Sequence, residues 1–266
     1  MKGEYMDEFG TANHDFWKAR VSNPLEGICT NDLQLDRLES DQIIKRLSEN
    51  CSVLEAGCGA GVLARDIQSN LSLNRYHGFD FVQDLIEIAK SHFANSIYSF
   101  DCRDITKLAE DDFTPTFDFV VTKRVIQNIK PESAQLKTID TLSHYLVPGG
   151  KLILVESSKI ALSNINTQRA IYGLPMITPP WNNLFLDDNL LKSYPFKNLE
   201  LMEIDSFATN YYFITRILYA RLAQDFLREK TNYSHPLNEI ALTTVGKLLI
   251  EDFSQIKTFI FEKRSS

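Results

Sequence analysis

Short apolar runs closed by polar or glycine-rich turns alternate along this chain with stretches whose apolar residues recur at helical spacing. Val53-Leu54 end the first run, and a helix is predicted from about Val62 through Ser69. Tyr76–Asp80 reads as a second strand. Val82, Leu85, Ile86 and Ala89 then stand at i, i+3, i+4 and i+7, the spacing of one helix face. Tyr98–Cys102 and Phe117–Thr122 read as strands three and four. Pro131 opens a helix at a favoured first-turn position, and Leu146-Val147-Pro148-Gly149-Gly150 reads as the turn before a fifth strand, Lys151–Glu156. Leu199–Ile204 and Thr258–Glu262 supply two more strands. Ahead of all of these, Asp36 to Leu47 is amphipathic, with Leu38, Ile43, Ile44 and Leu47 on one side. Strands alternating with helices predict an α/β fold around one sheet.

The junction after the first strand carries the chemistry. Glu55-Ala56-Gly57-Cys58-Gly59-Ala60-Gly61 places three glycines at alternate positions between a strand and a helix. Glycine turns sharply at positive φ and lets a ligand approach the backbone, while the following helix N-terminus offers free amides. Such a junction builds a nucleotide-type site. A dinucleotide fingerprint, G-x-G-x-x-G/A, requires a small residue where Val62 stands, and Glu55 would repel a pyrophosphate. These two residues argue against a nicotinamide-dependent oxidoreductase. An acid there suits a ligand bearing an ammonium or sulfonium.

Over residues 50–156 the chain resembles class I S-adenosylmethionine-dependent methyltransferases, in which a hydrophobic-Asp/Glu-x-Gly-x-Gly-x-Gly motif closes the first strand. The resemblance implies a Rossmann-like sheet of mostly parallel strands with an antiparallel last strand, helices on both faces, and S-adenosyl-L-methionine as cofactor. It places Glu55, Gly57, Gly59, Gly61 and Thr122 around that cofactor. Asp80, 19 residues after Gly61, is matched to the ribose hydroxyls, with Phe81 beside it. Asp104 is matched to the adenine amino group and Ile105 to the ring face. Each of these acids taken alone has a plainer use, as a helix cap, a turn residue or a solvated strand end. Their placement at the carboxyl ends of successive strands, where open α/β sheets bind ligands, sets them apart.

Composition narrows the partners. The 266 residues, 44% of them hydrophobic, are enough for one domain with a large core and additions. Thirty-five acidic against 28 basic residues give a formal charge of −7 without a basic stripe, which disfavours a nucleic-acid backbone as substrate. The Asn-Pro-Pro-Tyr type of segment that base-amino methyltransferases carry after strand four is replaced by Thr122-Lys123-Arg124-Val125. Apolar runs are too short to span a membrane, and Met1–Glu8 has no apolar export segment, so the cytoplasm is expected. Cys29, Cys51, Cys58 and Cys102 form no CxxC pair and the five histidines are scattered, so no metal is expected.

Three segments exceed ordinary connections. Residues 1–50 precede the first strand and include an aromatic stretch, Asn13–Lys18, expected to fold over the cofactor as a lid with Trp17 against it. Two cap insertions, 157–185 and 208–256, interrupt the methyltransferase domain of residues 51–266. In the implied topology both leave the sheet on the cofactor's side, and they are expected to enclose a small polar acceptor such as a sugar or a carboxylate-bearing compound. Arg124, Asn128, Asn166, Arg169, Asn183 and Arg216 are candidates to hold that acceptor. Glu156, at the end of strand five, is a candidate base; a loop cap is an equal reading of it, and Tyr212 and His14 are further candidates. The activity expected is methyl transfer to an oxygen or nitrogen atom. A catalytically silent S-adenosylmethionine- or S-adenosylhomocysteine-binding subunit stays open as the alternative.

Overall fold

The computed structural model describes residues 8–28, 30–246 and 252–265. In chain order these form α1 (Glu8–Lys18), α2 (Leu33–Ile44), β1 (Ser52–Ala56), α3 (Val62–Asn70), β2 (Arg75–Asp80), α4 (Gln83–Phe93), β3 (Tyr98–Cys102), β4 (Phe117–Lys123) and α5 (Glu132–Leu142). Then follow β5 (Leu146–Ser157), α6 (Lys159–Ile171), α7 (Asp188–Ser193), β6 (Leu199–Asp205), α8 (Thr209–Phe213), α9 (Tyr219–Leu222), α10 (Pro236–Leu242) and β7 (Ile256–Lys263). Met1–Asp7, Cys29 and residues 247–251 of the second insertion lie outside the described residues.

One seven-stranded sheet carries the chain, in the order β3-β2-β1-β4-β5-β7-β6. Its first five strands in that order are parallel, and β7 runs antiparallel to both neighbours. The expected architecture is the observed one. Successive residues of a strand face opposite sides, so Val53 and Ile153 join one core while Leu54 and Leu154 join the other. The first core is closed by Leu35 and Ile43 of α2, Leu63 and Ile67 of α3, Ile86 of α4 and Ile165 of α6. The second is closed by Leu136, Ile139 and Leu142 of α5 and Leu191 of α7. The strands are apolar on both faces because both faces are covered.

Two local details depart from the sequence-based expectation. Pro148-Gly149-Gly150 is not a turn ahead of β5; it lies within it. Phe117 pairs with Leu146 and Phe119 with Lys151, so the intervening residues of β5 bulge outward, with Gly149 at a φ of +75°. In and just after α2, Leu38, Ile43, Ile44 and Leu47 reach the first core as expected, but the buried positions of the helix also include the acids Asp36 and Glu39 with Ser40 and Gln42. Asp32 caps this helix by accepting from the Leu35 amide (3.2 Å), and the same carboxylate accepts from the Tyr211 hydroxyl (2.6 Å) and the Arg216 guanidinium (2.5 Å). The second insertion is thereby fastened to the start of α2. Between α8 and α9, Ile214–Leu218 winds as a π-helix, and Ala223–Leu227 repeats that winding after α9. Among the described residues no helix is long and apolar enough to cross a membrane.

Candidate functional site

The glycine junction forms the floor of a cavity of about 290 Å³ at the carboxyl edge of β1, β2 and β4. Gly57 has a φ of +75°, and a Cβ there would come within 2.3 Å of a Val125 methyl. Gly61 starts α3 at a φ of +84°, where a Cβ would meet the Phe93 ring at 2.8 Å. Both positions demand glycine for conformation and for space. The Gly57 and Cys58 amides donate to the Phe79 carbonyl (2.7 and 2.9 Å), which locks the loop to the end of β2.

Asp80 closes that strand, and its carboxylate is already oriented. Oδ2 accepts from the Gly59 amide and Oδ1 from the Val82 amide, each at 3.0 Å. Burial raises its carboxyl to about 6, although the amides of Val82, Gly59 and Phe81 pull the other way. Each oxygen retains a lone pair for a further donor, the arrangement a vicinal diol would use. Phe79, Phe81 and Ile105 give the cavity apolar walls suited to a purine ring. Asp104 also borders it. Its Oδ1 accepts from the Thr106 amide (2.9 Å) and hydroxyl (2.7 Å), so the residue caps its own turn, and its Oδ2 lies 3.7 Å from the Lys107 ammonium. The residues present therefore fit an adenosyl group.

Helix α1 roofs the cavity, with Phe9, Asn13 and Trp17 on its lining. The His14 ring meets Phe81 edge-on at 5.5 Å, and Phe9 and Phe16 both meet Trp181 of the first insertion, at 6.1 and 5.9 Å. Lys130 joins the two pieces, its Nζ 4.7 Å from the Phe9 ring centre while donating to the Trp181 carbonyl (2.6 Å). Below them, Asn182 donates to Asn128 (3.1 Å) and lies 3.5 Å from the Asn13 oxygen.

Of the residues singled out from sequence, Gly57, Gly59, Asp80, Phe81, Asp104, Ile105 and Trp17 border this cavity, as do Arg124 and Asn128. Others do not. Glu55 is turned away into the core, where it accepts from the Tyr76 hydroxyl; it is 2% exposed, and burial raises its carboxyl to about 7. The sequence-based placement of Glu55 beside a bound cation is corrected accordingly. Gly61 and Thr122 lie behind the lining: Gly61 begins α3, and the Thr122 hydroxyl donates to Glu156.

Glu156 is a loop cap. It is fully buried, and its Oε1 accepts from the Thr122 hydroxyl (2.8 Å) and the amides of Val125 (2.8 Å) and Ile126 (3.0 Å), while Oε2 accepts from Gln127 (3.2 Å). Fully buried behind the turn that its oxygens hold, it does not border the cavity and so is not placed to take a proton from an acceptor there. Tyr212 is equally unsuited to act as a base, because burial raises its hydroxyl far above the ordinary value. His14 packs on Phe81 and lies 3.6 Å from Asp15.

The other acceptor candidates scatter. Arg169 donates to the Pro175 carbonyl (2.8 Å) and to the Arg216 carbonyl, joining the two insertions, and does not line the cavity above the glycine junction. Arg216 is committed to Asp32. Asn166 pins Ile177 through both amide atoms, at 2.9 and 2.8 Å, and it lines with Asn183 a separate open cleft on α6. Arg169 and Tyr212, expected to face the acceptor together, border neither cavity: the Arg169 donors go to two backbone carbonyls, and Tyr212 is buried. Asn13, Asn182 and Glu39 escaped the sequence reading. The available signal was an acid at position 39 on the Leu35–Ile43 face of α2.

Residues 47–180 match a family model described as a methyltransferase domain. The ubiquinone biosynthesis O-methyltransferase of Methylocella silvestris is 24% identical over 206 residues, 71% of this chain and 78% of that protein. Among solved structures, the N-methyltransferase NodS of Bradyrhizobium japonicum, in complex with S-adenosylhomocysteine, superposes with a TM-score of 0.59 at 12% identity, over 95% of this chain and 99% of that one. A phosphoethanolamine N-methyltransferase of Haemonchus contortus does so at 0.61 and 13%, covering this whole chain and 51% of the other.

Two substitutions test the buried acids. Glu156→Gln turns an amide NH₂ toward backbone amides and should lower unfolding stability by about 2–3 kcal/mol in urea titrations. A loss below 0.5 kcal/mol would remove the loop-cap role. Glu55, raised from 4.5 to about 7, favours the fold most below pH 4.5 and loses that contribution as pH rises through 7. Glu55→Gln should therefore leave stability at pH 5 nearly unchanged and raise it at pH 8, on the order of 3 kcal/mol at most. Equal effects at both pH values would contradict a buried, perturbed carboxyl.

Proposed function

The chain belongs to the methyltransferase domain family, and from that premise we propose that it methylates an oxygen or nitrogen atom of a small polar metabolite. The donor is S-adenosylmethionine, whose sulfonium supplies an activated methyl group. Asp80 carries the assignment, as a buried carboxylate already held by backbone amides with one acceptor site left on each oxygen. The enzyme's own part is alignment and exclusion of water. The glycine floor brings the backbone against the cofactor, Phe81 and Ile105 flank a planar ring, and α1 with Trp181 covers the opening.

A small acceptor is favoured by that cover. Phe9 and Lys130 line the cavity, and Trp181 of the first insertion packs on Phe9 and Phe16 of α1, so aromatic groups from two segments meet beside the site. Relatives named as ubiquinone biosynthesis O-methyltransferases favour oxygen as the acceptor atom. Proton removal does not fall to Glu156, which is buried away from the cavity, so the acceptor's nucleophile enters in its reactive form or loses its proton to water.

Incubation with methyl-labelled cofactor and pooled polar metabolites should yield a labelled small product. Binding of S-adenosylhomocysteine without any labelled product would favour the silent-subunit alternative. Asp80 supplies an independent check. Ribose hydroxyls donate to its ionised form, so affinity for S-adenosylhomocysteine should be level above pH 7 and weaken about tenfold per pH unit below 6. Asp80→Asn should bind more weakly and flatten that dependence. Calorimetry at several pH values reads both, and an unchanged profile in the variant would take Asp80 off the ribose.

A further inference from the structure

Helix α2 presents three acceptors to two consecutive cations at the end of β4. Asp36 and Ser40 hold the Lys123 ammonium at 3.0 and 3.2 Å. Glu39, fully buried, takes Arg124 side-on, with Nε to Oε2 at 2.8 Å and Nη2 to Oε1 at 2.5 Å. Burial alone would lower the Arg124 pKa, and the adjacent carboxylate outweighs it and raises it. The arginine backbone is equally constrained. It sits at a φ of +60°, its amide donates to the Val155 carbonyl (2.8 Å), and its own carbonyl accepts from Asn128 (2.7 Å). A bulky residue at positive φ is uncommon, costs energy, and persists where the surroundings over-determine it, as at ligand sites.

What this leaves available is specific. A guanidinium has five N–H donors, and the side-on pair with Glu39 uses one edge. Among the described residues nothing accepts from Nη1, and Arg124 lines the cavity with its side chain 18% exposed. The remaining Nη1/Nη2 edge is a second fork with the geometry of a carboxylate. The carboxylates that border the cavity, Asp80 and Asp104, belong to the carboxyl ends of β2 and β3, away from β4.

We infer that Arg124 is a preformed carboxylate-binding fork in the wall of the cavity and that Glu39 is its positioning residue. The inference rests on the methyltransferase reading, and the carboxylate has two possible sources: the amino-acid end of the cofactor or the acceptor. Glu39 keeps the cation in the site before any ligand arrives, which removes the cost of burying an unpaired charge and fixes the direction of the free edge.

Calorimetry on the full chain separates the sources. S-adenosylhomocysteine carries the carboxylate and 5′-methylthioadenosine lacks it, so the second compound reports the adenosyl site and the folding of each variant. Benzoate against benzamide, observed by saturation-transfer NMR on the S-adenosylhomocysteine complex, probes the acceptor side. If the cofactor supplies the carboxylate, Arg124→Gln should lose about tenfold or more in S-adenosylhomocysteine affinity with 5′-methylthioadenosine unchanged. If the acceptor supplies it, both nucleosides should bind as before, and the benzoate signal, absent for benzamide, should vanish. Glu39→Gln should follow Arg124→Gln with a smaller selective loss, whereas general loosening would weaken both nucleosides together. Arg124→Lys, which keeps charge without the fork, should recover only part of the effect and serves where the glutamine variant fails to fold. Unchanged ligand binding in Arg124→Gln and Arg124→Lys would overturn the inference. Failure of the wild-type protein to bind either nucleoside would instead sink the methyltransferase reading.

Discussion

The wall of the cavity depends on one buried carboxylate. The chain after β4 must leave the sheet, turn and start α5, and in that turn the amides of Val125, Ile126 and Gln127 have no strand to pair with. Glu156, reaching across from β5, gathers all three together with the Thr122 hydroxyl. Burial raises the Glu156 carboxyl to about 7 although these donors pull the other way, and one group answers several buried amides that would otherwise lack acceptors. The consequence is positional. Arg124, Val125 and Asn128, which belong to the turn these bonds hold, line the cavity. Gln127 extends the arrangement, accepting from the Ser157 amide at 3.0 Å and, through its carbonyl, from Leu184 at 2.6 Å. That second bond brings the first insertion alongside the site.

The polar side of α2 performs the complementary task from the other direction. Asp32 anchors Tyr211 and Arg216 of the second insertion, while Asp36 and Glu39 hold Lys123 and Arg124 at the sheet edge. A helix that precedes the whole sheet in sequence thus joins the cap to the cofactor edge. Burying so many ions is costly, and paired geometry keeps that cost tolerable. Removing one partner leaves an uncompensated charge, so these pairs define one arrangement of the cap more sharply than apolar packing alone would.

Much of this was legible in the sequence where local rules decide. Three glycines at alternate positions, an acid at the end of the second strand and an acid after the third each follow from short-range conformation and from strand order. Asp80, Asp104 and the glycines accordingly border the cavity. The same rules placed Thr122 near the site but not its partner. Pro148-Gly149-Gly150 carries every mark of a turn, and its realisation as a bulge inside β5 depends on pairing with Phe117 and Phe119. Glu55 shows the limit most clearly. The motif places it next to the glycine loop, and strand alternation, together with the position of Tyr76 on the neighbouring strand, turns its carboxylate into the core.

By itself, the order of apolar runs, glycines and strand-end acids determined the sheet, its succession of strands and helices, and the edge at which the cavity lies. Those features rest on backbone geometry and on periodicity, which neighbours in sequence carry. Which polar side chains face the ligand was decided only in three dimensions. Arg169 and Arg216 resemble ligand-binding residues in composition, yet they spend their donors on Pro175, on a neighbouring carbonyl and on Asp32. Arg124 reaches the cavity with an edge to spare, because Glu39, 85 residues earlier in the chain, occupies only the other edge. Long-range pairing allots each donor to one partner, and a linear sequence does not record the partners.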